Sequence, residues 1–339
     1  MKLIIVTFWF IAFCFPVQAK QVIVDGVAFT SFKLAKKSIK DGSKIFLSKG
    51  VYTQGVNLKA SNIEILGEKG VVFDNASVNG KAALVLKGDN IFIENIECRN
   101  IQVKDGNGAC IRFEGRNLTV RGLYAHDSHS GLMTSKDAGI VNIEYSRFER
   151  LGNRGGYSHA IYVKADLLSI KYSEFLSTKK QGSAVKTRSK KTVIEYSLLA
   201  SIDGKDSRLV DAANYGELII RNSILEQGVN TSNSQLLAYG LEKKVPVKTE
   251  VNKIEVTGNL LLLDRKKANV ILKHRLADEV IVANNIIVGD PLDKKEFLKT
   301  NTWYKNRSSA KLQPYPYIPE VDDIERLKTY IQLVGDAEK

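Results

Sequence analysis

Residues 140–148 read IVNIEYSRF, residues 167–175 LLSIKYSEF and residues 191–199 KTVIEYSLL. In each run inward-type and outward-type residues alternate with a period of two, the pattern of a strand with one buried face. Each run then passes through Tyr-Ser and begins a second strand. The same grammar recurs on both sides, as NIFIENIEC (90–98), NLTVRGLYA (117–125), ELIIRNSIL (217–225), KIEVTGNLL (253–261) and EVIVANNII (279–287). The first inward residues of the units are Ile63, Ile91, Leu118, Val141, Leu168, Thr192, Leu218, Ile254 and Val280. These anchors lie 23 to 28 residues apart, except for one interval of 36 that holds an insertion between Gln227 and Lys253.

A repeat of this length, with strand alternation inside each unit and no helix between units, predicts stacked coils of short parallel strands. The units lack the leucine-rich-repeat consensus. The fold expected is therefore all-β, a single-stranded right-handed parallel β-helix forming one domain. Five positions after each anchor the later coils carry Ser146, Ser173, Ser197, Ser223, Asn259 and Asn285, a polar ladder able to hydrogen-bond from coil to coil. The β-helix domain is expected to span 20–289, with an amphipathic capping helix at 29–40. A tail at 290–339 holds the extended QPYPYIP and the helical DDIERLKTYIQLV and is expected to pack on the outside of the coils.

Residues 1–19, MKLIIVTFWFIAFCFPVQA, read as a cleaved signal peptide: one lysine, an apolar run too short to span a membrane, and small residues before the cut. The expectation is a secreted or periplasmic monomer without an integral membrane segment. The net charge of +13, or +12 without Lys2, suits an acidic partner. The basic residues are dispersed and no nucleic-acid motif is present, so nucleic acid is not the expected partner. Cys98 and Cys110 are too few for a disulfide framework; a single disulfide stays open, but the reading preferred here is two free thiols.

In the strand before each anchor, alternation turns Ile111, Phe113, Ile161, Val163, Val185, Thr187 and Val210 inward. Their neighbours Arg112, Glu114, Tyr162, Lys164, Lys186, Arg188 and Asp211 then point outward, and stacking brings Tyr162, Lys186 and Asp211 into one file with His159 at the start of its strand. Lys190 and Lys191, beyond the strand, read as an ordinary solvated turn.

The runs VKDGNGACIRFEGRNLTVRG, HDSHSGLMTS, YSHAIYV, AVKTRS, SRLVDAANYG and LLAYGLE, covering 103–242, resemble a family of secreted bacterial β-helix proteins with pectate-lyase-like folds. Ala160 and Leu209 depart from that family's pattern, where Asn and Glu stand. The matching residues are His159, Tyr162, Lys186, Arg188, Asp211 and Asn214. The resemblance is nearest to β-helix polysaccharide lyases of the alginate and dermatan type, and it implies an acidic, uronate-containing polysaccharide as partner. The catalytic candidates are Lys186, Arg188, His159 and Tyr162, with Arg112, Lys164, Asp211, Asn214 and Tyr239 expected to contact substrate.

β-Elimination on a uronate needs a neutralised carboxylate, a base for the C5 proton and an acid for the leaving oxygen. Arg188 suits the first role, Lys186 the second, and Tyr162 or His159 the third. A uronate C5-epimerase and a non-catalytic binding β-helix are the alternatives. Hydrolysis of the polygalacturonase type is disfavoured, because the only Asp-Asp pair, Asp322-Asp323, lies beyond the coils. No metal site is assigned: His126 and His129 read as turn residues that satisfy backbone groups, and calcium is left open.

Overall fold

In a computed structural model that describes residues 20–135, 137–153, 155–242 and 251–318, the chain winds into a parallel β-solenoid. The leader 1–19 and the helix read at 322–334 lie outside the described residues. Three sheets of 12, 11 and 9 strands run the length of the molecule, each coil contributing one strand to each sheet. The anchors stack as the period requires: Ile91, Leu118, Val141, Leu168, Thr192, Leu218, Ile254 and Val280 pair in direct register along the first sheet.

The polar ladder closes the corner between the first and second sheets. Ser173 Oγ accepts the backbone N–H of Ser146 at 3.1 Å and donates to Lys171 O at 2.8 Å in its own coil. The contact repeats from Ser197 to Ser173, from Ser223 to Ser197, and then through the Oδ1 atoms of Asn259, Asn285 and Asn301. Buried turn N–H groups thus find acceptors where the sheet ladder is interrupted. The residues before Ser146, Ser173, Ser197, Ser223, Asn259 and Asn285, namely Tyr145, Tyr172, Tyr196, Asn222, Gly258 and Asn284, adopt a left-handed backbone. The three tyrosines offset that unfavourable backbone in part by stacking, with centroids 4.9 and 5.6 Å apart.

Inside, the coils are filled by side-chain files. Phe148 and Phe175 stack at 4.7 Å in the second sheet, and Tyr52 and Phe73 at 5.3 Å. Outside, the first sheet carries a file of alternating sign in which Arg121 meets Glu94 and Glu144, Lys171 meets Glu195, and Arg221 meets Glu255. Such exposed pairs add little stability each, but they oppose register slips.

Three expectations change. Cys98 and Cys110 form a disulfide, not two free thiols. Both point into the core from the second and third sheets of the same coil, with Cα atoms 5.5 Å apart, so the turn between them is stapled. Helix at 29–40 is reduced to the single turn Phe32–Ala35: Phe29 belongs to a hairpin on the edge of the first sheet, and residues 36–40 continue as turns and irregular chain. That turn is capped by Ser31, and its Phe32 ring lies 6.3 Å from Tyr52 and 6.2 Å from Phe73. The parallel ladder also runs past Asp290, since Thr302–Tyr304 adds a strand to the second sheet.

At the C-terminal end a second apolar layer covers the outer face of the second sheet. Leu198, Ile224, Leu260, Leu262, Ile286 and Val288 are buried there against Ala310, with Leu312 and Ile318 packed on them. Arg307 anchors this segment through a two-pronged contact with Asp264 at 2.7 and 2.6 Å. Two acids are buried nearby. Glu226 accepts the Ile202 N–H at 2.8 Å, and burial pushes its carboxyl well above the usual range. Asp206, fully buried, accepts from Ser201 Oγ at 2.8 Å, and burial raises it to about 6.

Two outcomes follow from these contacts. Ser197→Ala strands the Ser173 N–H, while the Glu195 carbonyl keeps the Tyr172 N–H, so its chemical-unfolding midpoint should fall by the equivalent of about 1–3 kcal/mol, and the exposed Ser308→Ala should leave it unchanged. For Asp206 the unfolded chain ionises first on raising the pH from 3.8, so the native state loses stability until the folded group ionises at about 6. Asp206→Asn should therefore remove a pH-dependent loss of roughly 3 kcal/mol, raising the thermal midpoint at pH ~8 but not at pH ~3.5.

Candidate functional site

The third sheet builds the site. Arg112, Met133, Tyr162, Lys186, Asp211 and Ala238 occupy one outward file in successive coils, as the registers show. Between them Ile161, Val163, Val185 and Val210 are fully buried in the core, and Thr187 turns inward to meet Thr192 Oγ1 at 2.8 Å. The apolar set thus fixes which side chains reach solvent.

Arg188 is the hub. Its Nε donates to Tyr162 Oη at 2.6 Å, Nη1 to Asn214 Oδ1 at 2.7 Å, and Nη2 to Glu242 Oε2. Lys186 Nζ donates to Asp211 Oδ2 at 3.2 Å and to Glu242 Oε1. Asp211, 2% exposed, also receives Arg208 Nη1 at 3.1 Å. The Glu242 carboxylate is therefore gripped by two cations, one on each oxygen. Burial works against its charge, but Lys186 and Arg188 prevail and hold its pKa below the usual range.

A groove of about 480 Å³ opens beside this network, lined by Arg112, Thr134, Ser135, Tyr162, Lys164, Arg188 and Asn214. Arg112 and Lys164 are only loosely paired, with Glu114 at 3.8 Å and Asp137 at 3.7 Å. The Lys186 side chain is 11% exposed while that of Lys190 is 72% exposed, so the two basic positions are physically different.

His159 sits under the file, 8% exposed, with its ring edge-on to Tyr162 at 5.8 Å. Its Nδ1 accepts the Ser183 N–H at 3.0 Å, which places the proton of the neutral imidazole on Nε2. Burial, reinforced by the Lys186 charge, lowers its pKa to about 3. In this setting the ring is neutral.

Most of the expected residues converge: Lys186, Arg188, Tyr162, His159, Asp211 and Asn214 form one contact network, with Arg112 and Lys164 along the same groove. Tyr239 does not. The alternation that points Ala238 outward turns Tyr239 into the core, where it is fully buried and its hydroxyl donates to Gly216 O at 2.7 Å. Glu242 and Arg208 were not singled out by sequence reasoning. Only 3 or 4 residues join the third sheet to the first in the coils of Lys186 and Asp211, but 13 do so after Tyr239. Glu242 lies in that insertion, where strand alternation says nothing; the unequal interval was the one available signal.

His129 accepts the N–H groups of Val103 and Gly108 through Nδ1, in keeping with a turn role. His126 lies on the outer side of the second sheet, between Glu97 at 3.2 Å and Asp127 at 2.8 Å. Among the described residues no group of three or more His, Cys, Asp or Glu side chains is placed to hold a metal ion, and no helix is long and apolar enough to cross a membrane.

No protein-family pattern matches this chain, and no curated protein does. Solved structures similar to it include a pectin methylesterase from Yersinia enterocolitica, at 14% identity and a TM-score of 0.39, covering 85% of this chain and 98% of that one. A second is the PL6 family alginate lyase AlyGC in mutant form, also at 14% identity and a TM-score of 0.39, covering 91% of this chain and 57% of the lyase. Both are β-helix proteins.

The His159 geometry sets an expectation for titration. Its imidazole resonances, assigned by their loss in His159→Gln, should stay in the neutral form from about pH 5 to about pH 8, because the folded pKa of about 3 lies below that window. A titration midpoint near the usual histidine value would show that the ring is solvated and the packing around Tyr162 misread.

Proposed function

We propose that the protein binds an acidic, uronate-containing polysaccharide along the third sheet and cleaves it by β-elimination. One observation carries this reading: Lys186 and Arg188 already hold a carboxylate, that of Glu242, with one oxygen on each cation. A pair that grips one carboxylate in this way is suited to a uronate carboxylate in the same position. Arg112 and Lys164, further along the groove, supply positive charge for neighbouring sugar units.

In the reaction, the cationic pair neutralises the carboxylate and so acidifies the C5–H bond. The C5 proton leaves to a base, its electron pair forms the C4=C5 double bond, and the C4–O bond breaks with its pair on oxygen, which takes up a proton. No oxidant and no water is consumed. Tyr162 is the best-placed group for proton transfer: its oxygen accepts from Arg188 Nε at 2.6 Å beside the groove, and as the tyrosinate it takes the C5 proton, becomes the phenol and gives that proton to the C4 oxygen. A single residue on one side of the sugar can take the C5 proton and return it to the leaving oxygen. The base role first read for Lys186 fits this arrangement less well, because Nζ is shared between Asp211 and Glu242. Its part in the proposal is to hold the carboxylate with Arg188.

The Cys98–Cys110 disulfide and the apolar leader support an exported location in an oxidising compartment.

The test is a panel of uronate polymers, read by the ultraviolet absorbance of an unsaturated uronate and by binding. Arg188→Ala should weaken oligouronate binding about ten- to hundredfold, and Lys190→Ala should change it less than twofold. Tyr162→Phe should keep binding and lose about 100-fold or more in turnover. If Lys186→Ala is inactive with binding intact while Tyr162→Phe turns over normally, proton transfer belongs to Lys186. Binding with no unsaturated product from any polymer would leave a binding module or an epimerase, and equal losses at Arg188 and Lys190 would reduce the interaction to diffuse attraction.

A further inference from the structure

We infer that Glu242 is a built-in competitor for the carboxylate position it occupies, and so determines which acids the site admits. The inference rests on the carboxylate reading of Lys186 and Arg188 given above. Glu242 contacts one nitrogen of each cation, Lys186 Nζ and Arg188 Nη2, while Arg188 Nε and Nη1 also hold Tyr162 and Asn214, so a carboxylate that bridges both cations as Glu242 does takes its place. A ligand carboxylate therefore binds this pair by displacing Glu242.

Glu242 is built to leave. Its side chain is 39% exposed, against 11% for Lys186, 24% for Arg188 and 3% for Asp211. It is the outermost member of the network, so it can return to water without uncovering the rest. Asp211 stays behind, paired with Lys186 and Arg208, and an incoming carboxylate restores the charge balance that Glu242 provided.

The consequence is a threshold. A tethered group competes at an effective concentration in the millimolar range or above. The competition weakens every carboxylate ligand by the same factor. Acids that make this single contact then fall below useful occupancy, whereas a chain that also reaches Arg112 and Lys164 stays bound. Glu242 thus raises the number of further contacts a carboxylate ligand needs to fill the site, and leaves the ratio between two ligands' affinities unchanged.

The experiment compares the full chain with Glu242→Gln, titrating acetate and following the Arg188 side-chain 15N resonance. Acetate isolates the carboxylate chemistry from the identity of the polymer. The variant should bind acetate at Arg188 about tenfold more tightly or better, and an oligogalacturonate should gain by a similar factor. Unchanged or weaker acetate binding would overturn the inference. Glu114→Gln removes the same charge elsewhere along the groove and should leave acetate affinity at Arg188 within about twofold; an equal gain there would overturn it too, by marking the effect as general. Glu242→Ala, checked by its thermal midpoint, should repeat the Gln result. An acetate gain with no oligouronate binding in any form would keep the role of Glu242 and sink the polysaccharide reading. Oligouronate binding without the acetate gain would do the reverse.

Discussion

Everything in this molecule depends on the backbone ladder that holds each coil in register with the next. Parallel strands of adjacent coils lie about 4.8 Å apart, and a slip of one residue would exchange core and solvent faces. The slip is opposed at several places at once. Ser146, Ser173, Ser197 and Ser223 bind the corner turns, the anchors pack in the core, and the alternating charges of the first sheet pair only in register. Residues far apart in sequence thereby become neighbours on the outside, and the site follows from that file.

On the third sheet the same alternation brings charged groups together against an apolar wall, where they are worth more than in water. Asp211 is nearly sealed off and needs both Lys186 and Arg208 as partners. Lys186 and Arg188 in turn share Glu242, and Arg188 orients Tyr162 and Asn214. Charge falls off in burial from Asp211 outward to Glu242. The inner part is structural, and the outer part is where exchange with a ligand is cheapest.

The corrections share a physical cause. Period and alternation specify whether a side chain points in or out, but not what it meets across the interior or over the surface. Cys98 is inward by pattern, whereas alternation from Ile111 and Phe113 would turn Cys110 outward; only the folded coil buries both in the core and puts them at bonding distance. The amphipathic pattern at 29–40 overstated the helix: Phe29 goes to the hairpin of Val22–Val24 and Val27–Phe29, and only Phe32–Ala35 closes a helical turn. Tyr239 as a substrate contact runs against the alternation of its own strand, and there the alternation is the better guide.

From its sequence alone the protein is a stack of coils whose outward file contains Arg112, Tyr162, Lys186 and Asp211, because a two-residue period inside a repeat leaves no other pairing that buries the apolar set. Tertiary structure alone decided what those groups do to one another. It placed Glu242, from an insertion without periodicity, across Lys186 and Arg188, and it buried His159 so deeply that its ring stays neutral. Contacts of this kind depend on the path of a turn and on local desolvation. Neither is encoded in the spacing of residues along the chain.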